Sequence, residues 1–113
     1  TDGSGALSFT DNSGGTSWQA VITASTKTAV AGEGYFINTT SNACTLTLPA
    51  GTLGNEVSVI DYAGTFDTNN LTVAANGSEK IQGDAADLTV ATERAGFSLV
   101  YTDATQGWLL REK

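Results

Sequence analysis

The chain has 113 residues, with 12 acidic and five basic side chains, no His and a formal net charge of −7. That length fits one domain. The cations Lys27, Lys80, Arg94, Arg111 and Lys113 are too scattered for the basic patch that nucleic acid or an anionic membrane requires, and no apolar run nears the roughly 20 residues of a transmembrane helix. Thr and Val recur, Gly numbers 13 and Met is absent. β-branched residues lose rotamer freedom in helices and suit a pleated surface, so the composition predicts an all-β domain.

Residues 1–15 are polar and rich in Gly and Ser, with a short strand expected over Ala6–Thr10, where Leu7 and Phe9 alternate with small residues. This stretch reads as a flexible connector from the preceding part of a longer chain, and residues 16–113 as the single folded domain. Trp18–Thr23 can form a strand with Trp18, Ala20 and Ile22 on one face. Gly32-Glu33-Gly34 turns into a strand over Tyr35–Thr40, and Ser41-Asn42 is a two-residue hairpin candidate.

The middle of the chain carries the clearest periodicity. Cys44, Leu46 and Leu48 alternate with polar residues, then Val57, Val59 and Asp61, then Leu71, Val73 and Ala75. Residues two apart share one face of a strand, so each run offers one side to a core. Pro49-Ala50-Gly51, Ala63-Gly64-Thr65 and Asn76-Gly77 separate the runs as turns; proline fixes φ, and Gly and Asn tolerate positive φ. Further strands are expected at Leu88–Thr92, Phe97–Tyr101 and Trp108–Arg111. Nine to eleven short strands at this spacing predict a small sandwich or barrel-like domain of antiparallel strands. Leu46-Thr47-Leu48, Leu71-Thr72-Val73 and Leu88-Thr89-Val90 look alike, but their unequal spacing is no solenoid repeat.

The residues with chemistry are few. Cys44 shares a face with Leu46 and Leu48 and reads as a small buried hydrophobe; with no His in the chain, a catalytic thiol has no base. Asp61, Asp67, Asp84 and Asp87 lie near turns, match no Ca²⁺ loop and read as turn caps. A carboxylate pair such as Asp61 with Asp67, of the kind that hydrolyses glycosides, needs a separation that the chain does not reveal. Asp61 follows Val57 and Val59 on their face, so it must be hydrogen-bonded; the N–H groups of the Gly64–Thr68 turn are the expected donors. Asn76 and Gly77 are read as structural turn residues. No metal site and no cofactor are expected.

Sugars stack on exposed aromatic faces, and the candidate ligand-binding residues are Tyr62, Phe66 and Trp108. Tyr62 and Phe66 flank a turn, where a platform is most accessible. Tyr35, Phe97, Tyr101 and Trp108 lie on alternating strands, a pattern that equally assigns them to the core or a subunit contact.

The ordered series GEGYFINTT at Gly32–Thr40, TLTLPAG at Thr45–Gly51, IDYAGTFDTNNLTV at Ile60–Val73, ANGSEKIQG at Ala75–Gly83, LTV at Leu88–Val90 and LVYTDATQGW at Leu99–Trp108 resembles a domain of tailed-phage proteins. These are the distal or C-terminal parts of tail fibres and virion structural proteins, of cyanophages especially. The resemblance implies an all-β, non-enzymatic module in a virion appendage, a homotrimer in contact with other virion proteins and with a host-surface polysaccharide. It transfers no catalytic residue and no ligand position. A thin domain with unpaired strand edges gains buried area from assembly in any case. The rival reading is a carbohydrate-binding or adhesin module of a secreted protein.

Overall fold

The computed structural model describes residues 16–112, and it is all-β. The expected connector over residues 1–15, with its short strand at Ala6–Thr10, lies outside the described residues. Nine strands are described: β1 (Ser17–Trp18), β2 (Thr26–Thr28), β3 (Glu33–Ile37), β4 (Cys44–Thr47), β5 (Glu56–Asp61), β6 (Leu71–Ala74), β7 (Leu88–Val90), β8 (Gly96–Tyr101) and β9 (Trp108–Glu112). They form two sheets, one in the order β1-β3-β5-β8-β9 and the other β2-β4-β6-β7.

The first six strands alternate between the sheets. Each strand therefore lies beside the one two places earlier, and the two run parallel: β1 with β3, β3 with β5, β2 with β4, and β4 with β6. Parallel neighbours need a crossover. Here the opposite sheet supplies it, so the chain winds as a flattened coil. This corrects two expectations. The antiparallel arrangement holds for β5–β8, β6–β7 and β8–β9 but not for the coil. Ser41-Asn42 is not a hairpin, because β3 and β4 lie in different sheets.

The inner faces meet in one core. Tyr35 and Ile37 of β3, Val57 and Val59 of β5, and Phe97, Leu99 and Trp108 of β8 and β9 pack with Cys44, Leu46, Leu71 and Val73 of the other sheet. The look-alike triads are neighbours in that second sheet. Cys44 pairs with Leu71 and Leu71 with Val90; Leu46 pairs with Val73 and Val73 with Leu88. Thr45, Thr72 and Thr89 stack on the opposite face, while Thr47 stands beside Ala74. Lys27 sits in register with Leu46 and holds its Nζ 5.6 Å from the Tyr35 ring centre, so its stem covers the core edge while the charge rests on an aromatic face.

Burial shifts two groups. Tyr35 donates to Glu33 Oε1 at 2.7 Å and accepts from the Val30 N–H at 2.7 Å. Desolvation, followed by the Glu33 contact, pushes its pKa up to about 12. Desolvation also raises the Cys44 thiol, which suits a core residue rather than a nucleophile.

Candidate interaction surfaces

Asp61 is the organising polar residue. It ends β5 on the inner face and is 1% exposed. Its Oδ1 accepts from the N–H groups of Gly64 and Thr65, at 3.0 and 3.2 Å. Its Oδ2 accepts from those of Phe66 and Arg94, at 3.1 and 2.9 Å. One carboxylate thus satisfies four N–H donors, that of Phe66 fully buried, and holds two loops together: the turn after β5 and the turn before β8. Both need left-handed backbone, at Gly64 (φ +72°) and Arg94 (φ +58°). Arg94 also donates from Nη1 to the Tyr62 carbonyl at 2.8 Å, closing the link from the other side.

That clamp decides where the aromatics point. Tyr62 lies just outside it and is 50% exposed. Phe66, its N–H tied to Asp61, turns inward and is fully buried. Trp108 is also fully buried, edge-on to Tyr101 at 5.5 Å. This corrects the assignment of Phe66 and Trp108 as ligand platforms, because neither ring shows a face to solvent. Of the three, only Tyr62 does, and the three do not converge. Asn76 and Gly77 lie at a turn, with the Asn76 carbonyl accepting from the Glu79 N–H at 3.1 Å and Gly77 at φ +58°. Among the described residues no group of three or more His, Cys, Asp or Glu is gathered for a metal ion.

The outer face of the five-stranded sheet is a second surface. Trp18 stacks on Phe36 at 4.9 Å and lies over Gly34, where an added Cβ would sit 2.6 Å from the indole. Ile60 and Leu109 are exposed, at 37% and 38%. Register runs Gly34–Ser58–Ser98–Arg111 across four strands. Ser58 and Ser98 share a hydrogen bond of 2.8 Å and line a trough of about 220 Å³ with Trp18, Ile60, Gly96 and Arg111. Arg111 pairs with Glu56 at its rim. The sequence carried a signal for this face, since Phe36 and Ile60 are apolar at positions opposite the core runs. Which strands stand side by side was needed to assemble it.

A family model for the bacteriophage T4 gp9/10-like protein, N-terminal, matches residues 2–106. The chain is 34% identical over 79 residues to the baseplate wedge protein gp10 of Enterobacteria phage T4. That alignment covers 67% of this chain and 13% of gp10, so the chain spans a small part of that relative. The matched family describes an N-terminal region, whereas the resemblance pointed to distal and C-terminal fibre parts. With the model covering nearly the whole chain, the protein belongs to the bacteriophage T4 gp9/10-like N-terminal family.

Proposed function

We propose that the chain is a non-enzymatic β module of a phage baseplate or related tail appendage, which joins copies of itself as a homotrimer and contacts other virion proteins. The observation that carries this is the outer face of the five-stranded sheet. It places Trp18, Ile60 and Leu109 on the surface, with Phe36 half-buried beneath the Trp18 indole, on a chain with net charge −7. Like-charged copies repel, so a stable contact between them must be apolar at its centre. This face meets that need. The three-fold number follows the phage resemblance. Light scattering at micromolar concentration is expected to give three times the chain mass, and Ile60→Asp to dissociate the assembly without unfolding it. A monomer mass for the parent chain refutes the trimer; a trimer untouched by Ile60→Asp refutes the face.

Contact with a host-surface polysaccharide is a second reading, favoured by half-exposed Tyr62, whose backbone carbonyl the Arg94 side chain holds. Three such weak sites on one axis would act together. Glycan-array binding that Tyr62→Ala abolishes at unchanged mass supports it; binding unaffected by Tyr62→Ala refutes it.

A further inference from the structure

Among the described residues both sheets end on the same side of the fold, β7 in one and β9 in the other. Between them Leu88 and Val90 of β7, Phe97 of β8 and Leu110 of β9 line an open groove of about 320 Å³. Leu88, Val90 and Leu110 pack half-buried against the core, so the groove continues it. The two edges differ. That of β9 is taken: the Trp108 N–H donates to the Lys80 carbonyl at 2.8 Å, the Gln82 N–H to the Trp108 carbonyl at 2.8 Å, and the Leu110 N–H to Gln82 Oε1 at 3.0 Å. That of β7 is open, and among the described residues its backbone bonds only to β6. An open strand edge beside an apolar groove is the geometry that strand addition uses.

Charge selects the occupant. The groove meets a depression of about 90 Å³ at Leu88, and that one meets a third, of about 80 Å³, at Ala86 and Asp87. The track so formed is apolar along β7 and acidic beyond its start. Asp84 and Asp87 line it, both exposed and neither with a hydrogen-bond or salt-bridge partner among the described residues. No Lys or Arg lines any part of it. Glu93 is exposed past the other end of β7, and Arg94 beside it is drawn off to the Tyr62 carbonyl. A second copy fits this edge poorly. β7 against β7 sets Asp87 towards Glu93 when antiparallel and each acid towards its own kind when parallel, like charge in both cases. An incoming segment that carries cations meets attraction instead.

We propose that the β7 edge takes an extended segment of a partner protein, with apolar side chains two apart laid on Leu88, Val90 and Leu110 and a Lys or Arg that reaches Asp84 and Asp87. The three residues of β7 give only about 10 Å of pairing, so the cation adds what so short a ladder lacks. The inference rests on the contact with other virion proteins proposed above and gives that contact a surface and a chemistry. It is independent of the trimer, whose proposed face is the outer side of the five-stranded sheet.

The test pans a display library of random peptides against the 113-residue chain and follows amide hydrogen exchange with the strongest binder at saturation. Expected are peptides with apolar residues two apart and a Lys or Arg to one side, and exchange at the outward amides of Leu88–Val90 slowed about tenfold or more. Asp87→Lys, at an exposed site, is expected to weaken the binder about tenfold, whereas Asp67→Lys, the same change of net charge on the loop after β5, leaves it within about twofold. Binders without a cation, binding untouched by Asp87→Lys, or a β7 left unprotected overturn the groove while the wider contact stands. No binder of any kind overturns both. Protection already present in the free chain, or rising with its concentration, gives the edge to this chain or to a second copy and also overturns the proposal.

Discussion

Asp61→Ala is the sharpest test of how this fold is held. The substitution removes both acceptor oxygens from a site that is 1% exposed and leaves the N–H groups of Gly64, Thr65, Phe66 and Arg94 without partners. A hydrogen bond to a charged group contributes roughly 1.5–3 kcal/mol, and a stranded buried donor costs about as much. The four share one carboxylate and do not add in full, so we take a loss of about 4 kcal/mol. A small domain is stable by only ~5–15 kcal/mol. The expected fall in Tm is roughly 15 °C or more, read by circular dichroism. Asp61→Asn recovers half at best, because its amide nitrogen turns a donor towards two N–H groups. Asp67→Ala, at an exposed site, is the control and should stay within about 0.5 kcal/mol. An Asp61→Ala chain that melts within about 3 °C of its parent refutes the clamp.

Three further changes probe separate parts of the molecule. Tyr35 has a folded pKa of about 12 against an ordinary value of 10, so its contribution is intact below pH 10 and is lost as pH rises through about 12. The difference corresponds to ~2–3 kcal/mol, and Tm should fall more steeply across that window in the parent than in Tyr35→Phe. Gly107 has φ +74°, and an added Cβ would sit 1.9 Å from the Lys80 carbonyl oxygen, which accepts from the Trp108 N–H. Gly107→Ala should therefore cost about 3 kcal/mol or more by urea denaturation. Ser58→Ala and Ser98→Ala each strand one buried hydroxyl and should each cost about 1 kcal/mol, while the double variant costs less than their sum. Full additivity in that cycle refutes the shared bond.

Periodicity identifies faces, and here it did so well. The alternations at Cys44–Leu48, Val57–Val59, Leu71–Val73 and Phe97–Leu99 are buried faces of strands, and the all-β composition matches two sheets with no helix among the described residues. Periodicity says nothing of neighbours. Parallel stacking through alternate sheets was hidden because successive windings differ in length: Ser17 stands beside Glu33, yet Gly34 stands beside Ser58. That inequality masked the kinship of the three Leu-Thr-Val-like triads, which are adjacent strands. The donors to Asp61 were legible because a carboxylate on an apolar face must find N–H groups, and the nearest turn holds them. Exposure of aromatics beside turns was not legible. The same turn sends Tyr62 outward and Phe66 inward, and the difference lies in which backbone N–H the carboxylate takes.

The two outer faces differ in kind, and that difference predicts the polarity of assembly. On the four-stranded sheet, register aligns Thr26, Thr45, Thr72 and Thr89 in one row, with Thr28 and Thr47 beside it. Threonine offers a hydroxyl to water and only one methyl to a partner, so covering that row gains little. On the five-stranded sheet the exposed groups are an indole and branched aliphatics, whose burial stabilises by about 25 cal/mol per Å² of apolar surface. In the assembly proposed above, copies should therefore meet through the five-stranded sheet and leave the threonine rows outside. Thr45→Lys with Thr72→Lys is then expected to keep the oligomer mass of the parent, whereas Trp18→Asp lowers it. If the lysine pair dissociates the assembly and Trp18→Asp does not, the polarity is reversed and the threonine rows are the contact.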